Sequence, residues 1–143
     1  MRLAIKEAEK GIAQNEGGPF GAVIVKDNKV IAKTHNTVLK SQCAINHAEI
    51  NAIKKASKKL CTFNLSGCEL YTTCMPCPMC MGAIEWANIT TIYYGSTSED
   101  ADSIGFRDAK LYKSNSINLI NIERDKTLKL FTIWEKKEDK IIY

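Results

Sequence analysis

No stretch of the 143-residue chain is long and apolar enough to cross a bilayer as a helix, which leaves no candidate for a membrane-spanning helix. There is no internal repeat, low-complexity tract or linker-like run, so residues 1–143 are expected to form one compact domain. The opening residues Met1 to Glu7 carry acid early and no apolar core, so no signal peptide is expected there. A cytoplasmic setting is the default expectation, and the six cysteines are then thiols or metal ligands rather than disulfides. Proline is scarce, and its three residues, Pro19, Pro76 and Pro78, fall where elements end or begin. Aromatics are also few, at 8%, and they are not interleaved with the lysines as a single-strand nucleic-acid surface requires.

The formal net charge is +4, and much of the excess comes from Lys54, Lys55, Lys58 and Lys59 and from Lys126, Lys129, Lys136, Lys137 and Lys140. Two readings are open, a nucleic-acid patch or a set of solvated helix faces. Acids mixed in at Glu135, Glu138 and Asp139 favour solvated faces, so a nucleic-acid partner is not expected.

Periodicity then gives the elements. Leu3 to about Gln14 has helical spacing through Leu3, Ala4, Ile5, Ala8 and Ile12, and Gly17-Gly18-Pro19 ends it. Phe20 to Val25 is a short β-branched strand, Asp27-Asn28 a tight turn, and Val30-Ile31-Ala32 the returning strand of a hairpin. Ala48 to Leu60 reads as a helix with Ile50, Ile53 and Leu60 on one face. Leu70 to Thr73 is strand-like, and a helix begins about Pro76 or Pro78 and runs through Trp86. Thr90 to Tyr94 is the next strand, an acidic and serine-rich loop runs to about Asp108, Ile117 to Ile122 is a fifth strand, and Arg124 to Lys137 is a last helix with Leu128, Phe131 and Trp134. Strands alternating with helices predict an α/β fold with helices on both faces of a mixed five-stranded sheet.

Two segments carry chemistry, His47-Ala48-Glu49 and Pro76-Cys77-Pro78-Met79-Cys80. H-x-E followed by P-C-x-x-C is a known signature of zinc nucleobase deaminases. The physical logic is simple. Cys77 and Cys80 are spaced to share one side of a first helical turn, whose positive end favours thiolates. His47 adds a neutral nitrogen, and three protein ligands would leave a fourth position of one Zn²⁺ open for water. Glu49 is then the acid–base group. Residues two apart do not share a helix face, so His47 and Glu49 must lie at a helix end rather than in its middle. The alternative is a closed structural site in which Cys74 joins His47, Cys77 and Cys80, although such a site has no use for Glu49. Cys43, Cys61 and Cys68 follow no ligand spacing and read as small hydrophobes.

Beyond these segments the chain resembles the guanine-deaminase branch of the cytidine-deaminase-like family over nearly its whole length. The resemblance rests on Gly17-Gly18-Pro19-Phe20-Gly21-Ala22-Val23-Ile24-Val25, His47-Ala48-Glu49, Cys77-Pro78-Met79-Cys80 with Gly82-Ala83-Ile84, Trp86-Ala87 and Gly105-Phe106. It implies a three-layer α/β/α fold and zinc-dependent hydrolysis of guanine to xanthine and ammonia. Guanosine or another aminopurine, or adenosine in tRNA, would be the alternatives, and a structural zinc module the non-enzyme one. By the same resemblance Asn36 bonds the purine edge, Phe20 and Trp86 pack on the flat base, and Ala48 joins the substrate-binding positions. Asp108 supplies a second carboxylate beside the amino group, and Tyr143 closes the pocket. A homodimer is implied, with residues 117–143 exchanged between subunits. The chain departs from the family pattern at Met75, Glu85, Arg107 and Ala44-Ile45-Asn46.

Overall fold

The structure is a computed structural model that describes residues 1–106, 111, 124–135 and 138. It divides into two compact units, Met1–Lys113 and Ser114–Tyr143. The first unit runs α1 (Arg2–Ala13), β1 (Gly21–Lys26), β2 (Lys29–His35), α2 (Val38–Ser41), α3 (Ala48–Leu60), β3 (Cys68–Cys74), α4 (Pro78–Trp86), β4 (Thr91–Ser96) and α5 (Ser98–Ser103). The second contains α6 (Arg124–Glu135), on which Leu128, Leu130 and Phe131 are exposed.

The described sheet has four strands in the order β2-β1-β3-β4, rather than five. The fifth strand expected at Ile117 to Ile122 lies outside the described residues. β1 pairs antiparallel with β2 and β3, whereas β3 and β4 are parallel and joined through α4, so the sheet is mixed as expected. The hairpin turn is Asp27-Asn28, with φ of 48° and 59°. Both values lie in the left-handed region that a two-residue hairpin requires, and Asp and Asn tolerate it better than most side chains.

β3 alternates strictly, burying Cys68, Leu70, Thr72 and Cys74. Register places Leu70 beside Ile24 and Ile92, and these pack with Ala48, Ala52, Ala56 and Ile84 of α3 and α4 into the main core. The opposite face, with Val23 and Tyr71 in register and Tyr93 stacked on Tyr71 at 4.6 Å, includes the side that α1 covers. The result is a three-layer α/β/α arrangement.

The helices press on the sheet through small residues. α1 buries Ala4, Ala8 and Gly11, while Leu3, Ile5 and Ile12, which the sequence places on its apolar stripe, are 40–50% exposed. Close approach decides this: a Cβ on Gly21 would sit 2.0 Å from the carbonyl oxygen of Ala4, so only small side chains fit between the layers. α3 likewise turns Ala48, Ala52 and Ala56 fully inward, leaving Ile50, Ile53 and Leu60 half-buried at its flanks. The acidic stretch after β4 is not all loop. Thr97 and Asp100 form a capping box, with Asp100 N–H donating to Thr97 Oγ1 at 3.2 Å and Thr97 N–H to Asp100 Oδ2 at 2.8 Å, which is enough to start α5.

Gly21→Ala is therefore expected to destabilise the fold by about 3 kcal/mol, the upper end of ordinary overpacking, because the clash is with backbone. Urea unfolding of the two proteins measures it. A change under about 1 kcal/mol would mean that α1 shifts freely on the sheet.

Candidate active site

Two helices begin at one spot. His47 is the N-cap of α3 and Cys77 the N-cap of α4, both in extended backbone conformation, with Pro78 opening α4. The extended N-cap swings His47 back over the helix end. Glu49, one residue into the first turn, thus comes alongside it, which a mid-helix pair could not do. β3 ends at Cys74, and the chain crosses through Met75-Pro76 to Cys77, so the site lies at the carboxyl end of the two parallel strands.

The imidazole Nδ1 of His47 lies 3.7 Å from Cys77 Sγ and 3.6 Å from Cys80 Sγ. The ligand atoms of the three residues all fall within 4.8 Å of one another, the only such cluster among the described residues. One imidazole nitrogen and two sulfurs are a donor set that suits zinc. Cys77 and Cys80 are buried. The neighbouring Cys80 sulfur, with His47 adding to the effect, holds the Cys77 thiol below its usual range. The same pairing pushes the Cys80 thiol up, and burial adds to that.

Glu49 is almost fully buried. Burial is the main cause that raises its carboxyl above the usual range, and hydrogen bonds from its own backbone N–H and from Thr72 oppose it. The Thr72 hydroxyl donates to Glu49 Oε1 at 2.8 Å, and Oε2 faces the Cys80 thiol at 3.6 Å. The carboxyl group is thereby held beside the three candidate ligands without joining their cluster.

A cavity of about 390 Å³ opens over His47, Glu49 and Cys77. Phe20, Asn36, Val38, Leu39, Met75 and Phe106 are among its walls. Phe20 and Phe106 meet edge to face with centroids 4.8 Å apart. Gly18 lies against both rings, since a Cβ there would sit 2.7 Å from Phe106 and 2.9 Å from Phe20. Asn36 is buried, and its Oδ1 accepts from Val38 N–H at 3.0 Å, fixing the amide at the rim of α2.

Of the residues singled out in the sequence, His47, Glu49, Cys77, Phe20 and Asn36 line this cavity, Cys80 lies against His47, and Ala48 is buried between His47 and Glu49. Trp86 does not come to it. α4 turns Cys80 and Ile84 inward, and a residue two further along points away, which leaves Trp86 69% exposed. Asp108 and Tyr143 lie outside the described residues, as does the side chain of Trp134. Cys74 lines the cavity, yet its thiol donates to Thr97 O at 3.3 Å and it stands outside the ligand cluster, which removes the geometric basis for a closed four-residue site. Thr72, Met75, Val38, Leu39 and Phe106 were not identified as site residues from the sequence. Thr72 could have been found only from the strand register that sets it opposite α3, whereas Gly105-Phe106 was already part of the resemblance.

A mixed sheet with an imidazole, two thiols and a buried carboxyl gathered at its strand ends defines a metal-dependent hydrolase of the deaminase type. The comparisons agree: residues 1–96 match the cytidine and deoxycytidylate deaminase zinc-binding region, and the chain belongs to that family. It is 46% identical over 113 residues to a guanine deaminase of Bacillus subtilis, covering 79% of this chain and 72% of that protein. A tRNA-specific adenosine deaminase of Bacillus subtilis is 42% identical over 96 residues, covering 67% of this chain and 59% of its own length. Among solved structures, Bacillus subtilis guanine deaminase superposes with a TM-score of 0.94 at 39% identity, covering 99% of this chain and 95% of that one.

The ligand geometry predicts that purified protein carries about one zinc per chain. Cys77→Ser should lose most of the metal, and Cys74→Ser should keep it, as read by metal analysis after dialysis. Loss of zinc from Cys74→Ser would restore the closed structural site.

Proposed function

We propose that the chain is a cytoplasmic guanine deaminase, converting guanine and water to xanthine and ammonia in purine metabolism. The observation that carries the reading is the buried carboxyl of Glu49, held by Thr72 beside the His47–Cys77–Cys80 cluster on the floor of an aromatic-walled cavity. Guanine, rather than another amino-substituted base, is favoured because the likeness to the Bacillus subtilis guanine deaminase extends over 99% of this chain at a TM-score of 0.94.

His47, Cys77 and Cys80 would hold the zinc. When bound, it supplies Lewis-acid chemistry that brings the pKa of a water molecule to about 7. The protein's own part begins with the base. Phe20 packs on the flat ring, and the buried amide of Asn36 bonds its polar edge. Ala48, with no side chain beyond a methyl, leaves room between the metal ligand and the carboxyl group. Glu49 takes a proton from water as its oxygen adds to C2. It then passes a proton to the exocyclic nitrogen, the C2–N bond breaks and ammonia departs. Burial, which makes Glu49 hold a proton readily, suits a group that must accept and release one in each cycle. Asp108 completes the reading as a second carboxylate beside the amino group.

The tail belongs to the same proposal. Residues 1–143 act as one deaminase domain in a homodimer, with 117–143 exchanged between subunits, and Tyr143 closes the pocket over the base. An apolar end, Ile141-Ile142-Tyr143, follows the charged run Glu135 to Lys140, and covering an active site is a use for it that solvent does not offer.

Three experiments test this. Incubation with free guanine should give the ultraviolet spectrum of xanthine, while adenosine in an anticodon stem-loop stays unchanged. Glu49→Gln should retain zinc and lose roughly 10²–10⁴-fold in activity. Reaction of the stem-loop without turnover of guanine would transfer the assignment to tRNA adenosine. Separately, deletion of Ile141 to Tyr143 should cut guanine turnover by on the order of tenfold or more with zinc content and dimer mass unchanged. A fully active truncated protein would remove the tail from the mechanism.

A further inference from the structure

The loop between α1 and β1 forms one wall of the cavity, and its path follows from its residues. Asn15 takes a φ of 53°, turning the chain so that Glu16 N–H donates to Gly11 O at 3.0 Å. Gly17 then presses on Asn36 so closely that a Cβ would meet Asn36 Oδ1 at 2.2 Å. Phe20 accepts Asn36 N–H at 2.9 Å through its carbonyl oxygen. A second wall comes from α2, which supplies Val38 and Leu39. Neither wall is part of the sheet, and α2 is only four residues long, too short to be stable alone.

Glu16 joins the two walls. Its Oε2 accepts from His35 Nε2 at 2.8 Å, its Oε1 accepts from Lys40 Nζ at 2.7 Å, and its carbonyl oxygen accepts Lys40 N–H at 3.0 Å. His35 is the last residue of β2, directly before Asn36, and Lys40 lies on α2. The ring is further confined by Gly11, where a Cβ would sit 2.8 Å from Cδ2 of His35, and its Nδ1 faces Glu7 Oε2 at 3.4 Å. Of the two ring contacts, the one from Nε2 to Glu16 is the shorter, so Glu16 is the closer partner of the ring. Hydrogen bonds from His35 first and Lys40 second hold the Glu16 carboxyl below its usual range, so both oxygens accept as a carboxylate. None of Glu16, His35 and Lys40 lines the cavity or approaches the ligand cluster.

We propose that Glu16 is a positioning residue for the substrate: by clamping His35 at the end of β2 and Lys40 on α2, it sets the spacing of the two cavity walls that grip the flat base. The inference rests on the guanine reading of the same cavity. A clamp of this kind acts on binding and leaves the bond-breaking group, Glu49, where it is.

Glu16→Gln keeps the size of the side chain and removes its charge. Steady-state kinetics with guanine on the zinc-loaded protein should show KM raised about tenfold and kcat within about twofold of the parent, with metal content unchanged. Lys40→Met, which removes the more exposed arm, should raise KM by only about twofold. Hydrogen exchange is the second measurement: the amides of residues 17, 18 and 20 and of 38–41 should exchange faster together in Glu16→Gln. Unchanged exchange in either segment, an unchanged KM, or a fall in kcat at constant KM would each overturn the clamp. A parent protein that leaves guanine untouched would instead remove the substrate reading, and the exchange measurement would still decide the clamp.

Discussion

Helices α3 and α4 start over the same end of β3, and nearly everything else at the site follows from that meeting. A helix N-terminus has unpaired N–H groups and a partial positive charge, so it favours thiolates and carboxylates within its first turn. With two such ends converging, Cys77 at one cap, Cys80 a turn inside it, and His47 and Glu49 at the other cap come together without any long side chain having to reach. The approach is close because the faces that α3 turns to the sheet are alanine. Larger side chains there would lift the helix and carry His47 away from the two sulfurs.

The second constraint is the cost of burying Glu49. A carboxyl group shut away from water is expensive to ionise, and an unpaired one would be among the strongest destabilising features of a chain this size. Thr72 reduces the cost with a short hydrogen bond from within the sheet, and the first turn of α3 contributes a backbone donor. The compensation is partial, since the carboxyl still sits above its usual range. That balance is what acid–base chemistry needs. A carboxylate bonded on every lone pair would be a poor proton acceptor, and one left wholly unpaired would have no fixed direction.

The sequence was most informative where one local rule settles the outcome. The extent of α3 from Ala48 to Leu60, the Asp27-Asn28 turn, and the opening of α4 by Pro78 depend on helical periodicity, turn conformation and proline geometry. In the metal-type cluster only the Cys77–Cys80 spacing is local in this way, and His47, 30 residues away from Cys77, was legible through the paired H-x-E and P-C-x-x-C signature. Faces that depend on how near two layers come were not legible. The apolar spacing of α1 pointed to Leu3, Ala4, Ile5, Ala8 and Ile12, but the gap to Gly21 admits only the small ones, Ala4 and Ala8, together with Gly11. Trp86 stands outside the cavity lining for a related reason: an apolar residue beside a motif need not share the motif's face of the helix. The short helix α5 was missed because composition suggested loop, although Thr97 and Asp100 carry a capping pattern that a position-by-position reading could have found, and α2 has too few residues to show a periodicity.

What the substrate meets is a division of labour between rigid and adjustable parts. The floor of the cavity is set by a sheet and two helix ends that bury the core of the molecule, so the geometry of His47, Cys77 and Glu49 is tied to global stability. The walls are irregular chain, residues 17–20, the four-residue α2 and Phe106 beyond α5, held by individual hydrogen bonds and one ring contact. Changes in the walls can therefore alter which flat base fits while the floor keeps its chemistry, because irregular segments tolerate substitution that a packed core does not. Two of the departures from the family pattern lie in such places, whereas Glu85 is on α4 and Arg107 lies outside the described residues. Ala44 and Met75 both face the cavity, on segments that no helix or strand constrains, whereas none of the three candidate ligands departs from the pattern. A family that keeps one reaction and varies its substrate has its freedom in the walls, and in this chain Ala44 and Met75 stand there.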